Sequence, residues 1–579
     1  MIRLISYLFA ALSLILISLS GVENVHAQEA QTGGQRSLLP EIDPQDIEIR
    51  SQFQARFPGL RRQPILGFNP RPRVYQIDPN RRPFIEDEET VMANLPIGVL
   101  ERPEAPVFNP LGYAEPKNGF ARFGLGSFLT PEADVYAMSR LGTNHWVSGN
   151  FNYVSTDGHI DEFRSSARDV SMDLIAISSL SDKVKLKATL EALSGFNYFP
   201  GLISELGVPV VQNSRVENSG INGGASLTYA RTSLSGMALS INGYSGSMNM
   251  TSDLVPLTGE ATEWGVNANA EYSRLGEHVQ EVHRLRVRAD AGGINERLGA
   301  TQNWVIAGAS AHYERLFNYQ TDVKASAGIT VADDGINDLS VYLTPDVTLR
   351  HTLFRGLDLR GRLLGRVDQP TLAGVHDENP FFDLASLLQH QYEMRLQAEV
   401  LAEPLKGTKF SGGLSYQNIR HYLYYTRNEN SIAGTDFTEQ YYSPAFRRAN
   451  IIKLYGSLTQ DLKPGIVWLT GEAHWQRPRL SGNEKIPFIE SLGAQATVSI
   501  RPAGQILIEG WAEFAGDRED SAGNDLSSFF IVGSRFEISV TEKLGVYGKL
   551  LNLLSEEYEL WRGYPERGFQ GFAGITYLF

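Results

Sequence analysis

Apolar and charged positions alternate along this chain, segment after segment, with the period of two that belongs to an extended strand. In 183–192, Val184, Leu186, Ala188 and Leu190 alternate with Lys183, Lys185, Lys187 and Glu191. In 282–291, Leu285, Val287, Ala289 and Ala291 alternate with Arg284, Arg286, Arg288 and Asp290. In 357–367, Leu357, Leu359, Leu363 and Val367 alternate with Asp358, Arg360, Arg362 and Arg366. In 392–400, Met394, Leu396, Ala398 and Val400 alternate with Glu393, Arg395, Gln397 and Glu399. Ile506, Ile508, Ala512 and Phe514 face away from Glu509 and Glu513. The final residues keep the same period, with Phe569, Gly571, Ala573, Ile575, Tyr577 and Phe579 at alternate positions.

Such charged rows cannot be the buried face of a dry sandwich, because unpaired charge there costs too much. They suit a wet lumen behind a face that meets hydrocarbon. The solvent face of a soluble sheet is the alternative. It needs a second apolar layer over each opposite face, and no helices between the strands are expected to supply one. The connections discriminate further. Short ones fall at 141–144, 181–182, 317–320, 354–356, 463–465 and 502–504. Longer ones are expected between them at 200–219, 249–261, 368–390, 428–448, 477–490 and 516–527. Alternation of tight turns and long loops is how outer-membrane barrels run. Thr130-Pro131 is the exception, short where a loop is expected. The pattern predicts an all-β fold over 117–579, a transmembrane antiparallel β-barrel of about 22 strands. The net charge of -14 makes the protein a poor nucleic-acid binder. Mean hydropathy of -0.21 agrees with alternating lipid-facing and lumen-facing residues, and the 55 Gly and 24 Tyr suit turns and interfacial girdles.

The N-terminal part reads differently. Arg3, the apolar run 4–19 and Val25-His26-Ala27 form a signal-peptide pattern, expected to span 1–27. Residues 28–116 are dense in Pro and Arg, as in 57–64, 69–73 and 81–83. Proline removes ladder donors and breaks helices, so an extended periplasmic or lumenal segment is expected there. The chain has no cysteine, which excludes disulfides, thiolate metal sites and lipoprotein anchoring. The expected location is the cell outer membrane.

Asn552-Leu-Leu-Ser-Glu-Glu-Tyr558, followed by Trp561-Arg-Gly-Tyr-Pro565, Arg567-Gly568 and the final Phe579, resembles the end of TonB-dependent receptor barrels. The opening segment Gly124-Leu-Gly-Ser-Phe-Leu-Thr-Pro131 resembles the first strand of plug-less barrels of that type. The resemblance implies a barrel of about 22 strands, passage or uptake of a solute, and a periplasmic energy-coupling or other envelope partner. It also implies outer-membrane lipid around the wall and assembly machinery that reads Ile575, Tyr577 and Phe579 as a terminal signal. The chain departs from the family in residues 28–116, which lack the composition of a plug domain. Ile47-Glu-Ile-Arg50 is the nearest stretch to a TonB box.

Little in the sequence points to catalysis. Gly243-Tyr-Ser-Gly-Ser247 has the wrong spacing for a nucleophile elbow, and no Walker or His-Glu-x-x-His motif occurs. His283, His390 and His474 could sit on strands, with no nucleophile paired to them. The acidic stretches 517–525 and 333–338 miss the EF-hand register and read as turn chemistry. No catalytic residue, metal or cofactor is expected. The candidate lumen-lining residues are Arg284, Arg286, Arg288, Arg360, Arg362, Arg366, Glu393, Arg395 and Glu399. Two readings of the arginines stay open: attraction of anionic solutes, or pairing with lumenal Glu393, Glu399, Glu509 and Asp358 or with the N-terminal segment. Tyr422 to Tyr425 and Tyr441-Tyr442 suggest girdle anchors or ligand stacking. The function expected is solute passage, with a non-transport envelope scaffold as the alternative.

Overall fold

The computed structural model describes residues 118–579, apart from 161–163, 205–210, 253–258, 279, 297–300, 319, 385–386 and 429–436. The signal peptide expected over 1–27 and the Pro/Arg-rich segment expected over 28–116 lie outside the described residues. From Gly119 the chain runs up and down in 22 antiparallel strands that close into a barrel. The first eleven are β1 (Gly119–Gly126), β2 (Thr130–Leu141), β3 (His145–Thr156), β4 (Ala167–Ser181), β5 (Val184–Ser204), β6 (Val211–Thr232), β7 (Ser235–Ser252), β8 (Gly259–Leu275), β9 (Val282–Glu296), β10 (Gln302–Phe317) and β11 (Thr321–Asp333). The rest are β12 (Asp346–Phe354), β13 (Leu357–Asp368), β14 (Gln391–Leu405), β15 (Thr408–Arg427), β16 (Tyr442–Lys463), β17 (Val467–Leu480), β18 (Leu492–Ala503), β19 (Ile506–Ala515), β20 (Phe529–Ser539), β21 (Leu544–Leu551) and β22 (Gln570–Leu578).

The alternation sorts the two faces. Leu285 and Val287 are 61% and 57% exposed, while Arg284 between β8 and β10 is buried. An apolar row that stays open on a closed barrel is the row that meets lipid. Ile575, Tyr577 and Phe579 lie on this outer face, half-exposed, with the Tyr577 and Phe579 rings stacked at 6.2 Å.

Two expectations are corrected. The connections at 200–219, 249–261, 428–448 and 477–490 are shorter than expected, because the flanking strands run on. β5, β6, β15 and β16 have 21, 22, 20 and 22 residues, about twice what a tilted strand needs to cross a bilayer. Above the hydrocarbon no apolar face is required, so the period-two signal fades while the ladder continues. The second correction is a helix, α1 (Leu372–Glu378), in the connection 369–390, where none was expected.

The seam decides whether the sheet closes. β1 pairs with β22 from Phe120↔Leu578 to Gly126↔Phe572, and Phe579 N donates to Gly119 O. Gly124 and Gly574 face each other across it, and the Tyr547 ring lies over both. A Cβ on Gly574 would sit 2.5 Å from that ring, so glycine is needed for the close approach. The Tyr547 hydroxyl donates to Glu132, which also accepts from Lys549 at 3.0 Å. Arg122 of β1 donates to Glu537 of β20 at 3.1 Å, and Arg535 bridges Glu537 and Glu509. Side chains thus tie β1 and β2 to β20 and β21 across the seam that the backbone closes between β1 and β22.

Glu537 is 1% exposed, so its removal leaves the buried Arg122 guanidinium without its carboxylate, while Arg535 keeps Glu509. Glu537→Ala is expected to cost about 3–5 kcal/mol. Arg360→Ala, which removes a half-exposed group 3.7 Å from Glu399, is expected to cost about 0–1 kcal/mol. The midpoint of heat-modifiable electrophoretic migration compares them, and equal shifts would deny the seam its special role.

Candidate functional site: the lumen wall and its outer cap

The inner face of β8 to β14 carries a network of ion pairs. Arg284 donates to both carboxylate oxygens of Glu314, at 2.9 and 3.4 Å. Arg286 donates twice to Glu271, at 2.9 and 2.6 Å, and Arg288 pairs with Asp290. Arg350 reaches Asp358 at 2.6 Å, and Arg362 makes a two-point pair with Asp346 at 3.0 and 3.1 Å. Arg360 stands 3.7 Å from Glu399. Arg366 and Arg395 both donate to Glu393, at 2.8 and 2.7 Å. Every arginine named as a lumen-lining candidate therefore has a carboxylate neighbour in the wall itself. Planar guanidiniums in two-point contact with carboxylates hold their direction, so the wall is rigid and locally neutral.

The outer mouth is closed by the chain's own loops. Thr371 caps α1 by accepting from Gly374 N at 3.0 Å, and Leu372 N donates to the buried Glu263 carboxylate of β8 at 2.8 Å. Leu372 and Val375, one helical turn apart, are fully buried. They share one apolar core with Phe199, Val216, Met248, Ile294 and Trp304 from the upper ends of β5 to β10. Phe381 stacks on Tyr564 of the connection 552–569, with centroids 3.8 Å apart and planes at 9°. Trp561 packs on Tyr425, Tyr442 and Phe488. Phe437–Glu439 adds a short strand to Leu202–Ser204 at the end of β5. That strap comes from the β15–β16 connection on the far side of the ring, so it crosses the mouth. The Tyr564 hydroxyl sits at the crossing, 2.7 Å from Gln440 O and 3.3 Å from Pro200 O.

A buried latch pins the far end of the cap. Asp334 accepts from Ile336 N, Asn337 N, His390 N and His390 Nδ1, and His390 Nε2 lies 2.8 Å from the Tyr342 hydroxyl. Burial alone would raise the Asp334 carboxyl, but the hydrogen bonds from Asn337, His390 and Ile336 outweigh it and hold it at about 2. Burial keeps the His390 imidazole below its ordinary range against the pull of Asp334. Asp334, His390 and Tyr342 form a hydrogen-bonded chain, but Asp334 and His390 are fully buried, so the arrangement ties loops together. His474 and His283 each pair with a carboxylate, Glu490 and Glu281.

The stretch 517–525 is turn chemistry: Asp520 accepts from Ala522 N and Asn524 N and pairs with Arg562. The stretch 333–338 is built in the same way around Asp334, buried rather than solvated. Tyr441 and Tyr442 are neither girdle anchors nor open stacking platforms, since both lie in the cap core. The cap went unread in the sequence. Its signal was available in 371–388, where Thr371 precedes Leu372 and Val375, and Phe381, Phe382, Leu384 and Leu388 are too apolar for a solvated loop.

Comparison with solved structures places this fold. The barrel is similar to FpvA of P. aeruginosa bound to heterologous pyoverdines, at 10% identity over 80% of this chain and 71% of that one, TM-score 0.62. It is similar to the copper transporter OprC, at 10% identity over 80% and 81%, TM-score 0.62. It is also similar to the FrpB iron transporter from Neisseria meningitidis, at 11% identity over 80% and 82%, TM-score 0.61. No protein-family model matches the chain, and no curated protein matches it by sequence. The fold is that of the TonB-dependent receptor barrels of the outer membrane.

Two outcomes follow for the cap. Phe381→Ala removes a buried ring and is expected to cost about 3–5 kcal/mol of cap docking. A Glu-specific protease should then cut after Glu378 faster, with heat-modifiable migration retained. An unchanged cleavage rate would separate Phe381 from cap closure.

The second concerns pH. His376 Nε2 lies 3.2 Å from Asn197 Oδ1, and burial lowers its imidazole to about 4 from 6.5. Undocked, it takes up a proton near 6.5, so the undocked cap binds more protons between 6.5 and 4. The His376 contribution to docking therefore weakens as pH falls through that window. Amide hydrogen exchange in 371–384, corrected for intrinsic rate, should rise more between neutral pH and about pH 5 in the unsubstituted protein than in His376→Gln. The same pH response in His376→Gln would assign it elsewhere.

Proposed function

We propose that this barrel carries a solute across the outer membrane through its lumen, with the inward-folded outer loops as the entrance that must yield. The observation that carries the reading is the pairing of a wide, polar, ion-paired wall with an apolar cap seated across its outer mouth. A barrel of 22 strands is wide enough that something must fill or cover it. A wall whose charges are already paired offers an entering solute hydrogen-bonding surface without a deep electrostatic trap. The likeness to siderophore, iron and copper receptors supports the same class of work. Coupling to a periplasmic energy-transducing partner belongs to the proposal, with 28–116 proposed as the segment that meets it. The candidate arginines act here by pairing and shaping the lumen, and Ile575, Tyr577 and Phe579 act as the signal read at assembly.

The test is single-channel conductance in a planar bilayer for four forms of the protein. They are the full chain, a deletion of 28–116, a replacement of 371–389 by a short Gly-Ser linker, and the two combined. The combined form is expected to show a large steady conductance, and the loop replacement alone to show openings that the full chain lacks. Silence of the combined form, with its barrel folded, would overturn the transport reading and favour an envelope scaffold.

A further inference from the structure

The lumen-facing arginines of β9 to β14 and a group of outward arginines on β15 to β17 differ in how they are satisfied. The inner ones are each beside a carboxylate. On the outer face of β15, β16 and β17, Arg420, Arg448, Arg477 and Arg479 follow the same alternation as the lipid-facing Tyr416, Ile452, Leu454 and Trp475. Register brings them together: Tyr416↔Ile452↔Arg477 form one row, Asn418↔Asn450↔Arg479 the next, and Arg448 donates to Asn418 Oδ1 at 3.0 Å. Arg479 donates to Asn483 O at 3.2 Å, and the Arg420 guanidinium lies 5.9 Å from the Tyr392 ring. Among the described residues none of the four pairs with a carboxylate. The loop acids beside them are taken, Glu484 by Arg447 and Glu519 by Lys485. Elsewhere at the rim, outward Arg168 and Arg215 lie over the Phe196 ring, and Arg215 also pairs with Glu217.

Directly below the four arginines the apolar wall is hollowed. A groove of about 1190 Å³ crosses the strands, floored by Gly361, Gly412, Gly456 and Ala473. Its upper lip is Leu454 and Trp475. A Cβ on Gly361 would meet nothing within 4 Å, so the floor is open there, while the Phe410 ring lies over Gly412. From Ala473 to Arg477 is four residues, roughly 14 Å along a strand. With strands tilted about 40° from the membrane normal, that is roughly 11 Å of depth, about a third of a hydrocarbon core roughly 30 Å thick. Cations without counter-charge at the headgroup level, above an apolar trough at acyl depth, match an amphiphile with anionic groups at one end and hydrocarbon at the other.

We infer that this face binds a phosphorylated, multiply acylated lipid of the outer leaflet. Its phosphates lie against Arg448, Arg477 and Arg479, and one acyl chain lies in the groove. Guanidinium forks suit phosphate oxygens, and at the edge of hydrocarbon such contacts are poorly screened. The site is independent of whether the lumen conducts.

Native mass spectrometry of the full-length protein tests it. The detergent-solubilised protein is equilibrated with a bis-phosphorylated acylated disaccharide lipid, with the same lipid dephosphorylated, or with phosphatidylglycerol. The phosphorylated glycolipid is expected to be retained about ten-fold better than either. Combined Arg448→Gln, Arg477→Gln and Arg479→Gln should remove that preference, Ala473→Phe should weaken retention by filling the groove, and Arg168→Gln with Arg215→Gln should leave it intact. Heat-modifiable migration reports folding, and if the triple variant does not fold, the exposed Arg477→Gln alone carries the comparison. Equal retention of all three lipids, or undiminished retention by the arginine variants, would overturn the assignment.

Discussion

Hydrocarbon offers no partner to a backbone amide, so a sheet that crosses a membrane must leave no edge. Everything else in this structure depends on meeting that condition at one place, the junction of β1 and β22. The two strands meet in register over seven residue pairs. Backbone pairing alone would close the ladder, but closure must also choose which strands meet. The Gly124–Gly574 pair leaves room for Tyr547, and the Arg122–Glu537–Arg535 chain crosses the seam in a place too dry for water to substitute. A buried charge network is a poor source of net stability, but it is specific, because a wrong register leaves charges without partners.

Closure creates an interior, and the interior creates a charge problem. Strands that present arginine after arginine to a confined lumen would repel one another if left alone. The wall resolves this locally: each cation on β9 and β13 meets an acid on its own or an adjacent strand, as Arg284 meets Glu314 and Arg362 meets Asp346. On the outer face of β15 to β17 the same residue type meets no carboxylate among the described residues, which is the ground for assigning its counter-charge to a lipid.

The cap follows a different rule. Above the bilayer β5 to β10 expose apolar ends that would be unwelcome in water. The connections 369–390 and 552–569 cover them, and Phe381 on Tyr564 joins the two loops over the lumen. The mouth is thus closed by burial of apolar surface, while the wall beneath it is held by ion pairs. Burial and pairing respond differently to pH and salt, so the entrance can loosen while the barrel stays intact.

The sequence by itself determined the barrel: strand period, polarity of each face, alternation of tight and long connections, and a count near 22. These are legible because each depends only on neighbours two residues apart, and hydrocarbon on one face enforces the pattern strand after strand. The arginine and carboxylate rows were visible too, but not which cation meets which acid. Arg366 reaches Glu393 only because β13 and β14 pair in one particular register. Only the tertiary structure decided the cap, the strap across the mouth and the bare arginines outside. Tyr442 and Trp561 lie far apart in the chain and touch because two loops turn inward over the same ring of strand ends. Contacts of that kind have no local period, so no pattern along the chain could announce them.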